Sequence, residues 1–77
     1  MPVKIISFGP VKDIMGDQQF EVKDVADTDQ LIQVLHHQYP ALAQTPYIIA
    51  VDKDIISGNT LLNGDQVVAL LPPYSGG

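Results

Sequence analysis

The sequence has no cysteine, no arginine and no apolar run long enough for a membrane span. Without cysteine there is no disulfide, no thiolate metal site and no cysteine nucleophile. A cysteine-free chain also fits a cytoplasmic location, which is the expectation here. Without arginine, the positive charge rests on Lys4, Lys12, Lys23 and Lys53, scattered along a chain of net charge -5. Nucleic-acid binding needs a basic footprint and is excluded on that ground. An acidic surface suits a basic partner instead. A span needs roughly 18 consecutive apolar residues, so no membrane association is expected. The start, "MPVKIISFG", has one lysine and no small-residue cleavage site, so it does not read as a signal peptide.

Catalytic signatures are missing as well. There is no nucleophile elbow and no phosphate-binding glycine loop. His36 and His37 are neighbours on a helix, so they point about 100° apart, whereas helical metal pairs prefer a spacing of four. They read as two solvated side chains at a helix C-terminus, helped by its dipole. Asp52 and Asp54 flank a turn; a calcium loop needs more oxygen ligands and a turn glycine. Asp24, Asp27 and Asp29 read as capping and a solvated face. No metal site and no bound cofactor are expected, and the chain is not expected to be catalytic alone.

What remains is 77 residues with 45% apolar content, enough for one core. A chain this short buries only about 60% of its unfolded surface. One domain, 1–77, is expected. "VKIISFG" (3–9) is rich in β-branched residues and stops at Gly9-Pro10, so it predicts a strand. "VKDIMG" predicts one helical turn ending at Gly16. "QQFEVK" predicts a second strand with Phe20 and Val22 on one face, reached through a loose hairpin at Gly16-Asp17. "DTDQLIQVLHHQYP" is the main helix, capped by Asp27 with Gln30 three residues on. Its expected apolar stripe is Leu31, Val34, Leu35 and Gln38, with Ile32 beside it, and Pro40 stops it after Tyr39. "YIIAVDKDIIS" predicts a strand, a turn at Asp52-Lys53-Asp54 and a short strand. Asn63-Gly64 is the clearest turn signal. "QVVALL" is apolar on both faces and predicts a central strand. The order β-β-α-β-β-β, with one main helix over one face of a mixed sheet of four to five strands, is the β-grasp arrangement, an α+β fold.

The chain ends "LLPPYSGG". Pro72 and Pro73 cannot donate to a ladder and favour an extended, preformed segment. Gly76 and Gly77 carry no Cβ, so the end of the 72–77 tail is thin enough for a narrow channel. Its one unusual group is the α-carboxylate of Gly77, inert until ATP turns it into an acyl-adenylate that sulfide, persulfide or an amine can attack. A glycine pair falls at about 0.5% of termini by chance at ordinary glycine usage, which argues against an idle end.

Strand parity predicts a surface. Lys4 must reach water, so its face of the first strand, with Ile6 and Phe8, is the uncovered one. Phe8, Leu71 and Ile55 are then expected as an apolar patch beside the tail's exit, of the kind that marks partner sites.

"FGPVKDIMG", "IAVDKDIIS" and "NGDQVVALLPPYSGG" together resemble the small subunits of molybdopterin synthases, the MoaD family, across nearly the whole chain. The resemblance implies a ubiquitin-like sulfur carrier. An E1-like adenylyltransferase would activate Gly77 with ATP, and a sulfur donor system would convert it to a thiocarboxylate. The tail (Pro72, Pro73, Tyr74, Ser75, Gly76) would thread into a large synthase subunit and supply sulfur for the dithiolene of molybdopterin, made from cyclic pyranopterin monophosphate. A heterotetramer of two small and two large subunits is implied. Tyr74 stands where the family commonly has a smaller aliphatic residue, and Lys12-Asp13 where it often has Arg-Glu, which makes Lys12 a candidate interface residue. Three alternatives stay open: a carrier for another sulfur pathway such as thiamine thiazole, a ubiquitin-like modifier of lysines, and an interaction domain with an idle tail.

Overall fold

The computed structural model describes residues 2–16 and 20–73. Its elements are β1 (Val3–Ser7), α1 (Pro10–Met15), β2 (Phe20–Val22), α2 (Thr28–Gln38), a 3-10 turn (Pro40–Gln44), β3 (Ile48–Val51), β4 (Asp54–Ile56) and β5 (Val67–Leu71). One sheet runs in the order β2-β1-β5-β3-β4. β1 and β5 are parallel, and the other pairs are antiparallel. The fold is the expected α+β β-grasp with five strands. β5, the strand read as central, lies between β1 and β3.

Alternation along the strands decides which face is covered. Val3 and Ile5 of β1, and Val68 and Leu70 of β5, are sealed under α2. They join Leu31 and Leu35 of α2, Val11 of α1 and Leu42 of the 3-10 turn in one core. Burying a side chain of this size contributes about 1.5–3 kcal/mol. Lys4 and Phe8, on the other face of β1, are exposed as strand parity required.

α2 begins where its cap dictates. The Asp27 side chain accepts from the Gln30 N–H at 2.9 Å, and Gln30 Oε1 accepts from the Ala26 N–H at 2.9 Å. This capping box reaches one residue further back than the usual form. The apolar stripe differs from the expected one: Val34 and Gln38 are exposed, and Thr28 is buried in their stead. A hydroxyl is tolerated there because it is satisfied. Thr28 Oγ1 bonds Asn59 Oδ1 at 3.2 Å and accepts from the Thr60 N–H at 2.9 Å. The stripe is thus centred one turn nearer the N-terminus of α2, where the 58–62 loop closes over it.

The β3–β4 turn is also tighter than expected. Asp52 and Lys53 are the two central residues, at φ 50 and 74, and Asp54 already belongs to β4. Two consecutive left-handed residues make the two-residue hairpin whose twist matches the strands. Asn63-Gly64 turns as expected: Gly64 has φ 108, and Gln66 Oε1 accepts from both the Asn63 and Gly64 N–H groups at 3.1 Å.

Candidate functional site

The uncovered face of the sheet follows from register. Ile6 pairs with Ala69, Ala69 with Ala50, and Ala50 with Ile55, so one row crosses four strands. Leu71 pairs with Ile48 in the next row, and Phe8 lies one step beyond the last β1–β5 pair on the same side. The face is apolar from β1 to β4 along this row, while Lys4 and Glu21, paired with each other, put charge on it at the β2 edge. The row's two central residues, Ala50 and Ala69, are small, and Ala50 is buried among its neighbours. At the end away from the tail, Ile6, Val67, Ala69 and the Asp52-Lys53 turn surround a hollow of about 270 Å³.

Phe8 is 45% exposed and Ile55 67% exposed, while Leu71 is half-buried. The three share a face but do not form one cluster. Three strand spacings separate β1 from β4, about 14 Å. Phe8 and Leu71 therefore stand together at the tail's exit, with Ile48 beside them, and Ile55 stands on the far edge of the sheet. Lys12 sits in α1, exposed, at the same end as Phe8.

Leu71 is the last residue of β5; Pro72 is half-buried and Pro73 exposed. Tyr74, Ser75, Gly76 and Gly77, the residues expected to thread into a partner and to react, lie outside the described residues. Pro72 packs on the turn after β1. Gly9, at φ 61, turns its bare Cα toward the proline ring, and a Cβ there would stand 3.3 Å from Pro72 Cγ. On sequence alone Gly9-Pro10 marks a strand stop, and nothing local to Gly9 announces its neighbour.

His36 corrects the expectation of a solvated side chain. Its Nε2 lies 2.7 Å from the Tyr47 hydroxyl, ring edge to ring face, and it is half-buried. Burial pushes the Tyr47 pKa up. His37 is exposed, as expected. Asp52 is used by the turn: its carboxylate accepts from the Val67 N–H. Among the described residues, no three His, Asp or Glu side chains gather as metal ligands do.

Comparison with known proteins adds independent findings. The model of the ThiS family matches residues 5–77. A molybdopterin synthase sulfur carrier subunit from Dictyostelium discoideum is 31% identical, over 96% of this chain and 94% of the relative. A protein of the same description from Chlamydomonas reinhardtii is 30% identical over 100% of both chains. Among solved structures, a chain from the complex of subunits 1 and 2 of the molybdopterin-converting factor of Helicobacter pylori 26695 superposes with a TM-score of 0.74. It is 29% identical, and 100% of each chain is covered.

Proposed function

The chain belongs to the ThiS family, and from that premise we propose that it is the sulfur-carrier small subunit of a molybdopterin synthase. The observation that carries the reading is a Gly-Gly end set just beyond a central strand and a double proline, in a chain similar along its whole length to sulfur carrier subunits.

The body presents and the terminus reacts. A Gly77 carboxylate oxygen attacks the α-phosphorus of ATP on an E1-like adenylyltransferase, and pyrophosphate leaves. A sulfur nucleophile at the oxidation level of sulfide then attacks the carbonyl carbon, and AMP leaves. The product is a thiocarboxylate. Glycine leaves that carbonyl unhindered, so both displacements are open. In the large subunit, the thiocarboxylate sulfur attacks a side-chain carbon of cyclic pyranopterin monophosphate and displaces its oxygen substituent. Water then hydrolyses the acyl C–S bond of the resulting thioester, which leaves the sulfur on the pyranopterin and returns Gly77 to a carboxylate. A dithiolene holds two sulfurs, so two charged carriers are consumed per product. Two small and two large subunits per assembly match that demand.

The uncovered face is the docking surface on this reading. Phe8 and Leu71 lie beside the tail's exit, with Ile55 and Lys12 at the margins. ATP belongs to the adenylyltransferase, so this chain holds no cofactor of its own. The carrier works in the cytoplasm; among the described residues no helix is long and apolar enough to cross a membrane.

Intact-mass analysis after co-expression with an adenylyltransferase and a sulfur source tests the proposal. Exchange of one oxygen for sulfur at Gly77 is the expected result. Isopeptide conjugates on lysines would identify a modifier, and an unchanged mass would identify an idle tail. Incubating the thiocarboxylated protein with a large subunit and cyclic pyranopterin monophosphate should yield the dithiolene, and a thiazole-forming system should not accept its sulfur. Adding one residue after Gly77, or deleting Gly77, should abolish transfer.

A further inference from the structure

Gly9 is held on both sides. The Phe8 N–H donates to the Leu70 carbonyl at 3.1 Å, so the β1–β5 ladder reaches its doorstep. Its own carbonyl accepts from the Lys12 N–H at 3.0 Å and begins α1. Between these anchors, Gly9 takes φ 61 and ψ -139, a conformation that is essentially glycine's alone.

Register then brings it to Pro72. Ser7 pairs with Leu70 in the parallel ladder, so two steps further Gly9 comes opposite Pro72. Pro72 has no N–H to continue the ladder. A contact replaces the missing rung. A Cβ on Gly9 would meet Pro72 Cγ at 3.3 Å, Cδ at 3.7 Å and Cβ at 3.8 Å, so the ring covers the place a side chain would take. Gly16 makes the contrast: it also has positive φ, at 88, yet a Cβ there would meet nothing within 4 Å.

We infer that Gly9 is a positioning residue, a seat for the Pro72 ring that fixes the direction in which the chain leaves the sheet. The inference rests on the carrier reading for its consequence at Gly77. Five residues beyond Pro72 span at most about 17 Å, so a tilt of about 10° at the base moves the tip by about 3 Å. Reacting groups tolerate far less, since a misplacement of about 1 Å can cost ~100-fold in rate. A Cβ at position 9 obliges the ring to give by a few tenths of an ångström, in a backbone conformation already strained for any other residue, and that tilts the base of the tail. It therefore slows chemistry at the tip and leaves the docking face unchanged.

The test uses full-length thiocarboxylated protein in single-turnover sulfur transfer at saturating large subunit, beside a separate measurement of affinity. Gly9→Ala should slow transfer by about tenfold or more with affinity within about twofold. Gly16→Ala carries comparable positive-φ strain without the contact, and should leave both quantities unchanged. In a Pro72→Ala background the Gly9→Ala effect should shrink, as coupled neighbours require. Wild-type transfer by Gly9→Ala, or equal slowing by Gly16→Ala, overturns the proposal. The contact itself is read independently of sulfur chemistry. Nuclear Overhauser cross-peaks between Gly9 Hα and the Pro72 ring protons should be present in the wild type, and their absence sinks the seat. A wild type that takes up no sulfur at all overturns the carrier reading instead, and those cross-peaks then decide the seat by themselves.

Discussion

Asp52 clasps Val67 from two directions: its N–H donates to the Val67 carbonyl at 2.9 Å, and its carboxylate Oδ1 accepts from the Val67 N–H at 3.0 Å. One turn residue thereby closes the β3–β4 hairpin and fixes where β5 starts, in a conformation (φ 50) that costs most residues energy. Lys53, at φ 74 and exposed, carries the same strain, and among the described residues it makes no clasp like that of Asp52. Asp-Gly is the favoured pair for such a turn. Lys53→Gly should therefore raise unfolding free energy by about 0.5–1 kcal/mol, and Asp52→Ala should lower it by about 1–2 kcal/mol. Urea denaturation of the two variants measures both signs, and a destabilised Lys53→Gly would contradict the strain argument.

The Tyr47 hydroxyl gives a pH signature. Burial raises its pKa in the folded state. The folded protein therefore holds that proton at a pH where the unfolded chain, titrating near pH 10, has lost it. The contribution is fully present below about pH 10 and is lost as pH rises through the folded value. Unfolding free energy should fall above about pH 10, and part of that fall should vanish in Tyr47→Phe. That variant also loses the bond to His36, which costs about 1 kcal/mol at neutral pH. Denaturation curves from pH 8 to 11 for both proteins separate the two effects.

Removing the cap of α2, at the half-buried Asp27, should cost stability. Asp27→Ala loses the bond to the Gln30 N–H but keeps the backbone bridge to Leu61. A loss of about 1 kcal/mol is expected. Gln30→Ala should cost less, and the double variant less than the sum, because the two side chains complete one box. A double-mutant cycle by thermal denaturation checks the coupling.

Phe8 and Ile55 give up little of the core when truncated, because both stand well exposed on the uncovered face. Phe8→Ala should weaken binding to a large subunit by about tenfold or more and shift the melting temperature only slightly. Ile55→Ala, on the far edge, should have the smaller effect. Calorimetric titration against the large subunit measures each, and unchanged affinity in Phe8→Ala would remove this face from the proposal.

Much of this architecture was legible in local chemistry. The parity of Lys4 against Val3 and Ile5 identified the covered face, and the two-sided apolar run at 67–71 identified the central strand. Asp27 and Gln30 announced the start of α2. Val34 misled because apolarity alone cannot tell a stripe's centre from its edge. Nothing local marks Thr28 as buried, because its partners, Asn59 and Thr60, come from a distant loop. His36 looked solvated for the same reason, since Tyr47 returns to it only after the 3-10 turn.

The residues by themselves settled what depends on covalent geometry: alternation in the strands, the stripe and cap of a helix, the stiffness of Pro72-Pro73 and the bareness of Gly76-Gly77. The fold decided what depends on meetings between the two ends of the chain. Phe8 stands by Leu71, and Gly9 receives Pro72, only because β1 and β5 lie side by side and parallel. Periodicity is written into every few residues of backbone, whereas a contact across the chain exists only once the whole sheet has closed around a buried core.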